Sequence, residues 1–167
     1  MAKILGWFNG NVPENIEIRQ VYGVVFTKDG RTLLRSYEEN GKRKYSLAGG
    51  TPENYDKDKE ATLHREMFEE VNTTISNPIV IGYQLIDEED GTPVYAQLRM
   101  VAMIDTIGEK RADPDTGETY DRVLTTPDKA IRLLNWGNIG KQMIEEAVRV
   151  VKLQLGLNTF IDNDEIL

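Results

Sequence analysis

Three glutamates in one short segment have the spacing of a metal site. Glu66, Glu69 and Glu70 stand at i, i+3 and i+4 in a segment rich in good helix formers. On a helix this spacing places the three carboxylates on one face, with Cβ atoms about 5–6 Å apart. Oxygen-only ligands suit Mg²⁺ or Mn²⁺, which also accept phosphate oxygens from a substrate. The alternative interpretation is a solvated acidic face partly neutralised by Arg65, which reaches Glu69 at i+4.

A pair of glycines upstream favours the metal site. Gly49 and Gly50 follow the extended stretch of residues 45–47 and allow the backbone to turn tightly. A main-chain carbonyl in such a turn can join the coordination sphere of a hard cation. The glycines and the glutamates together therefore predict a loop and a helix that share one metal ion.

The elements that must position these residues can be read from the pattern of apolar and turn residues. Strands are predicted over residues 16–27, 32–36, 44–47, 79–86 and 94–104, and a helix over residues 58–71. A short helix begins after Thr126 and stops near Gly137, and a longer one over residues 139–155 ends at Gly156. Residues 108–119 are predicted to be a loop. This order predicts an α/β fold with a mixed sheet between helices.

Composition excludes several other classes of protein. The chain has 167 residues, which suits one domain over residues 1–157, followed by an acidic tail of residues 158–167 that either frays or packs on a second subunit. The net charge of −8 argues against binding a nucleic-acid polymer. Cysteine is absent and His64 is the only histidine, which excludes thiolate chemistry and sites with two histidines. A short apolar start and the lack of long apolar runs predict a cytoplasmic protein without membrane contact.

Residues 49–73 resemble the Nudix box, whose pattern is G-x5-E-x7-R-E-U-x-E-E-x-G-U, where U is a bulky aliphatic residue. Residues 65–70, Arg-Glu-Met-Phe-Glu-Glu, match the central R-E-U-x-E-E at every position. Residues 45–53 resemble the aromatic-x-Leu-Pro-Gly-Gly-x-x-Glu segment that leads into the box. The resemblance implies the Nudix-type α/β/α sandwich, with the box helix and the last helix on different faces of the sheet.

The match departs from the pattern in the loop before the helix. The segment from Gly50 to Arg65 is one residue longer than the pattern, and Lys57 stands where the mid-loop glutamate is expected. Asp56 and Asp58 are the two candidates for the role of that glutamate. Proline is replaced by Ala48, and the last two positions are Asn72 and Thr73. Asparagine is a tolerable substitute for glycine because it also adopts left-handed backbone.

The resemblance also implies separate roles for individual residues in catalysis, metal binding and substrate binding. The catalytic residues are expected to be Arg65, Glu66, Glu69 and Glu70. The metal site is expected to comprise Glu66, Glu69, Glu70, Gly49 and Gly50, and the substrate contacts Tyr45 and Glu53. A carboxylate from a later loop acts as the base in some Nudix enzymes, and the candidates here are Glu88, Glu89, Glu109, Glu118 and Asp121.

The function that the resemblance implies is Mg²⁺-dependent hydrolysis of a pyrophosphate bond in a nucleoside diphosphate linked to another moiety, with Mn²⁺ as an alternative ion. Its partner is a small nucleotide-type molecule, and a homodimer is possible since many Nudix proteins form one. The alternative function is that of a Nudix-like module that binds or senses a nucleotide without cleaving it. The complete R-E-U-x-E-E core favours the enzyme, because a binding module does not need three clustered carboxylates.

Overall fold

The computed structural model describes residues 2–167, which form a nine-stranded mixed sheet and three helices. The strands are β1 Lys3–Asn9, β2 Ile18–Phe26, β3 Thr32–Glu39, β4 Lys42–Ser46, β5 Ala48–Gly50, β6 Thr73–Asp87, β7 Tyr95–Ile107, β8 Asp121–Thr125 and β9 Glu165–Ile166. The helices are α1 Lys59–Val71, α2 Pro127–Leu134 and α3 Gly137–Gln154. The strand order is β1-β6-β7-β2-β3-β8-β9, with β4 on β3 and β5 on β2. Only the β2–β7 pair is parallel among the described strands.

Two apolar cores lie on opposite faces of this sheet. Successive side chains of a strand point to opposite faces, so Val24 and Phe26 of β2 join one core and Val21 and Val25 join the other. Helices α2 and α3 cover the first core, whereas α1 covers the second. The predicted α/β/α sandwich, with the first and last helices on different faces, is therefore confirmed.

The sheet opens between β2 and β3, next to α1. These two strands pair only at Phe26 and Thr32. Further along, β5 takes the free edge of β2, with Tyr22 opposite Gly49, while β4 takes the edge of β3. The glycine pair of the sequence therefore lies in a short strand that faces α1, and not in a free turn.

Several segments differ from the sequence expectation, including β5, β8 and β9, which were not among the predicted strands. Residues 3–9 were not predicted to be a strand either, but they form the edge strand β1, paired with β6. This strand is mostly exposed, so it lacks the burial pattern that identifies a strand. Strand β6 begins at Thr73 and not at Ile79, where the predicted strand starts. The sequence pattern missed this earlier start because β-bulges interrupt the alternation of side chains in β6.

The C-terminal tail packs on its own chain. Strand β9 extends the sheet beside β8, with Ile166 opposite Val123. Arg31 donates a 2.7 Å hydrogen bond to Glu165, and Thr125 donates one of 2.8 Å to Asp164. The division into a domain of residues 1–157 and a tail of residues 158–167 stays a prediction. Within residues 2–167, no helix has both the length and the apolar character to cross a membrane.

Candidate active site

Helix α1 is held at both ends, which fixes the direction of its glutamates. Asp58 is the N-cap and accepts a 2.8 Å hydrogen bond from the backbone N–H of Ala61. Asn72 ends the helix in the left-handed conformation predicted for it, with φ of 47°. Glu66 and Glu70 are buried on the face that meets β5, and only 9% and 8% of their surface is exposed.

The close approach of β5 to α1 explains the second glycine. A methyl group on Gly50 would lie 2.5 Å from the carboxyl carbon of Glu66. Real side-chain carbons do not come this close, so any larger residue would displace the glutamate. The missing side chain of Gly50 therefore leaves room for the carboxylate of Glu66. This space, and not the conformational freedom of the glycine backbone, explains the residue.

Arg65 connects the loop before α1 to the glutamates. Its guanidinium donates two 2.9 Å hydrogen bonds to the two oxygens of Asp56, and a third of 3.1 Å to the carbonyl of Thr51. The same side chain donates bonds of 2.9 Å to Glu66 and 3.2 Å to Glu69. These bonds hold the pKa of Asp56 well below its usual range, and they raise the pKa of Arg65. Asp56 thus supports Arg65, whereas Asp58 caps the helix. Which of the two takes the role of the mid-loop glutamate stays a prediction.

Glu70 lies at the opening in the sheet. It accepts a 3.2 Å hydrogen bond from the backbone N–H of Gly49 and forms a 2.9 Å ion pair with Arg35. Burial nevertheless raises the pKa of Glu70 to about 7, against the opposing effect of Arg35. Burial also raises the pKa of Glu66, although Arg65 partly offsets it. The two buried carboxylates are thus poorly neutralised by the protein alone.

The loop of residues 108–119 brings two further carboxylates to the glutamates. Carboxylate oxygens of Glu69, Asp113 and Asp115 lie within 4.8 Å of one another. Asp113 is buried, and its negative charge contributes to the raised pKa values of both buried glutamates of α1. The loop is attached to α1 by Arg111, which lies 4.2 Å from the ring of Phe68 and donates to its carbonyl. We refer to Glu66, Glu69, Glu70, Asp113 and Asp115 as the carboxylate cluster, in which Glu66 and Glu70 adjoin the group of three but do not belong to it.

The sequence did not single out the two loop aspartates. Of the five acidic residues proposed as a late-loop base, Glu88 and Glu118 accept hydrogen bonds from tyrosine hydroxyls. Asp121 is paired with Arg43 and Lys110. The Asp-Pro-Asp-Thr-Gly run at residues 113–117 was the available signal, because it concentrates oxygen ligands in one tight turn.

Neither of the two expected substrate contacts belongs to the carboxylate cluster. Tyr45 is half-buried and packs against the core that α2 and α3 cover. Glu53 lines a shallow groove with Arg19 and Tyr95, and its backbone N–H donates a 2.9 Å bond to Asp56. The substrate-binding roles of Tyr45 and Glu53 stay predictions.

The carboxylate cluster fits a divalent cation by the chemistry of its donors. It offers only carboxylate oxygens, with a glycine main chain close by, and such hard ligands suit Mg²⁺ or Mn²⁺. Among the described ion pairs, two cations contact the carboxylate cluster, namely Arg35 and Arg65. Five carboxylates against two arginines leave an excess of negative charge that a bound cation would offset.

Comparison with solved structures shows the same architecture. A NUDIX hydrolase from Nitrosomonas europaea is 15% identical and matches 87% of this chain and 94% of its own, with a TM-score of 0.60. A MutT protein from work on Aliivibrio salmonicida and Vibrio cholerae is 13% identical and matches 80% of this chain and 98% of its own, with a TM-score of 0.55. A mutant of the Bacillus subtilis pyrophosphohydrolase BsRppH is 18% identical, with coverage of 65% and 63% and a TM-score of 0.50.

The chain therefore has the Nudix fold. No family model matches its sequence. No curated protein matches it either. The likeness is one of architecture, and the chemistry has to be argued from this chain's own residues.

Proposed function

We propose that this chain is a Mg²⁺-dependent hydrolase that cleaves the pyrophosphate bond of a nucleoside diphosphate linked to another moiety. The observation that carries the proposal is the carboxylate cluster of α1 and the loop of residues 108–119, held in place by Arg65. The Nudix fold supports it, because Glu66, Glu69 and Glu70 of the cluster lie in the box segment of the sequence. Mn²⁺ is an alternative ion, since it accepts the same ligands.

The ligands of the ion would be the cluster carboxylates, with the main chain of Gly49 and Gly50 beside them. A bound Mg²⁺ would neutralise the charge of the diphosphate and lower the pKa of a bound water. Arg65 does not touch the substrate in this scheme, because its donors are used by Asp56, Glu66, Glu69 and Thr51. It is a positioning residue.

Proton transfer can be assigned to the buried glutamates. Burial raises the pKa of Glu66 and brings that of Glu70 to about 7. A carboxylate with a pKa near neutrality accepts a proton more readily than an ordinary glutamate. We assign the deprotonation of the attacking water to one of these two buried glutamates, each of which is paired with one arginine, Glu66 with Arg65 and Glu70 with Arg35.

The direct test is hydrolysis of a panel of nucleoside triphosphates, nucleotide sugars, dinucleoside polyphosphates and ADP-ribose in the presence of Mg²⁺. We expect release of phosphate or of a nucleoside monophosphate from at least one compound. Glu60→Gln is the matched control, because it removes an exposed carboxylate from the first turn of the same helix. Activity should survive this change and disappear with a chelator. Silence across the panel would favour the module that binds a nucleotide without cleaving it.

A further inference from the structure

A cavity lies on the α3 face of the sheet, across the opening at Glu70 from the carboxylate cluster. It has a volume of about 290 Å³, and its lining includes Tyr22, Arg35, Gln84, Arg99 and Trp136. We call it the Arg99 pocket. It is at the small end of the range for ligand sites, so it suits one substituent of a ligand and not a whole nucleotide.

Arg99 is a buried cation with few partners. It is only 2% exposed, and its one described hydrogen bond is a 3.3 Å contact to the carbonyl of Gln97. Its Nε has no hydrogen-bond partner among the described residues. Arg122 is equally buried but donates to three main-chain carbonyls, those of Val71, Gly108 and Leu167. The fold is thus able to satisfy a buried arginine, and it leaves Arg99 unsatisfied.

The surroundings of Arg99 hold a planar cation but do not neutralise it. Its guanidinium lies 4.7 Å from the ring centre of Tyr22 and 5.9 Å from that of Trp136. No ion pair joins it to a carboxylate in the described part of the chain. Burial lowers the pKa of Arg99 to about 10, which leaves it charged at neutral pH. A buried charge without a counter-ion is unfavourable, and an anion in the pocket would remove that cost.

The pocket adjoins the carboxylate cluster. Arg35 lines the pocket and forms the 2.9 Å ion pair with Glu70. Tyr22, which stacks on Arg99, lies opposite Gly49 in the β2–β5 pairing. A molecule whose diphosphate lies at the cluster therefore has a neighbouring cavity for another of its groups.

We propose that the Arg99 pocket binds an oxyanion, a phosphate or a carboxylate, that the substrate carries in addition to the diphosphate that is cleaved. This inference rests on the proposed function, because it names the class of substrate for that site. Arg99 supplies two or more N–H donors in the planar arrangement that matches such a group. Tyr22 and Trp136 hold the guanidinium in place, so that little freedom is lost on binding.

Binding can be tested without catalysis. Trp7→Phe leaves Trp136 as the only tryptophan, next to Arg99. In this background, with a chelator and at constant ionic strength, inorganic phosphate should change the Trp136 fluorescence in a saturable way. Arg99→Met should weaken that binding at least about tenfold, since charge-assisted hydrogen bonds are lost. Lys28→Met, which removes an exposed positive charge from a turn, should leave it unchanged.

Two results of this titration would overturn the proposal. One is a parent protein that shows no saturable response, and the other is equal phosphate affinity in the Arg99→Met variant. Arg99→Met and Arg99→Gln are expected to fold, because each removes a buried charge that lacks a counter-ion. If circular dichroism showed both variants to be unfolded, the charge would be structural and the proposal would fail.

A second measurement distinguishes a pocket that binds an oxyanion of the substrate from a pocket that binds only free phosphate. With Mg²⁺, phosphate should compete with the substrate identified by the panel, and Arg99→Met should weaken this competition. Within the pairs NADPH and NADH, and UDP-glucuronate and UDP-glucose, Arg99→Met should reduce kcat/KM only for a member with the extra oxyanion. Saturable phosphate binding without competition would overturn the assignment to the substrate. An inactive protein that still binds phosphate through Arg99 would contradict the proposed function and not the anion site.

Discussion

Arg65 and Arg99 lie on opposite faces of the same sheet and use their donors in opposite ways. Arg65 donates to three carboxylates and one carbonyl, and these bonds raise its pKa. Arg99 donates to one carbonyl, and burial lowers its pKa to about 10. The difference separates a cation that holds the protein's own groups in place from a cation whose donors are available to a ligand. Charge balance around each side chain distinguishes the two, although both are arginines near one site.

Glu70 lies between these two regions, and its replacement tests the comparison most severely. We expect Glu70→Gln to reduce turnover at least about a thousandfold, because charge stabilisation by a metal site contributes several kcal/mol. The measurement is kcat for the substrate found by the panel, at saturating Mg²⁺. Turnover within tenfold of the parent would show that the cluster is not the metal site of the reaction.

The stability of the same variant has a predictable dependence on pH. The pKa of Glu70 in the folded protein is about 7, above the 4.5 of an ordinary glutamate. The folded state therefore binds the extra proton, and stability falls as pH rises from 4.5 to 7, by about 1.4 kcal/mol for each unit of pKa difference. Without metal, Glu70→Gln should melt near the parent at pH 4.5 and above it at pH 8. A lower melting temperature at pH 8 would mean that the ion pair with Arg35 outweighs burial.

Local spacing and distant packing explain what could be predicted from the sequence. The box helix and the cap by Asn72 follow from residues a few positions apart, and the structure agrees. The metal site of three glutamates stays a prediction, since only Glu69 belongs to the group of carboxylates within 4.8 Å. Asp113 and Asp115 were missed because a loop is placed by its contacts with α1, which periodicity does not encode. Arg99 was missed for a related reason. Its strand was predicted, but the lack of a counter-ion is visible only when several strands are assembled.

Replacement of Asp56, the ion-pair partner of Arg65, tests whether Arg65 holds the glutamates of α1 in place. Asp56→Asn should lower the free energy of unfolding by roughly 3 kcal/mol, because it removes one charge from a buried ion pair. It should also reduce turnover about 10–100-fold, as loss of a group that orients metal ligands does. Urea unfolding and kcat are the two measurements.

Asp58→Asn provides the matched control two residues away. Asparagine is as good an N-cap as aspartate, so both stability and turnover should stay close to the parent values. Equal effects of the two substitutions would contradict the assignment of Asp56 as the residue that supports Arg65. A larger effect at Asp58 would transfer that role to the helix cap.

The smallest expected effect concerns the end of α1 that meets the loop of residues 108–119. Asn72 adopts left-handed backbone, and its Nδ2 donates a 2.9 Å bond to the carbonyl of Glu109. Asn72→Ala should cost about 1–2 kcal/mol, since alanine is strained in this conformation. Asn72→Gly should stay within about 1 kcal/mol of the parent, because the relaxed backbone offsets the lost hydrogen bond. If urea unfolding showed equal losses for both variants, the side-chain bond and not the backbone conformation would hold the loop against the helix.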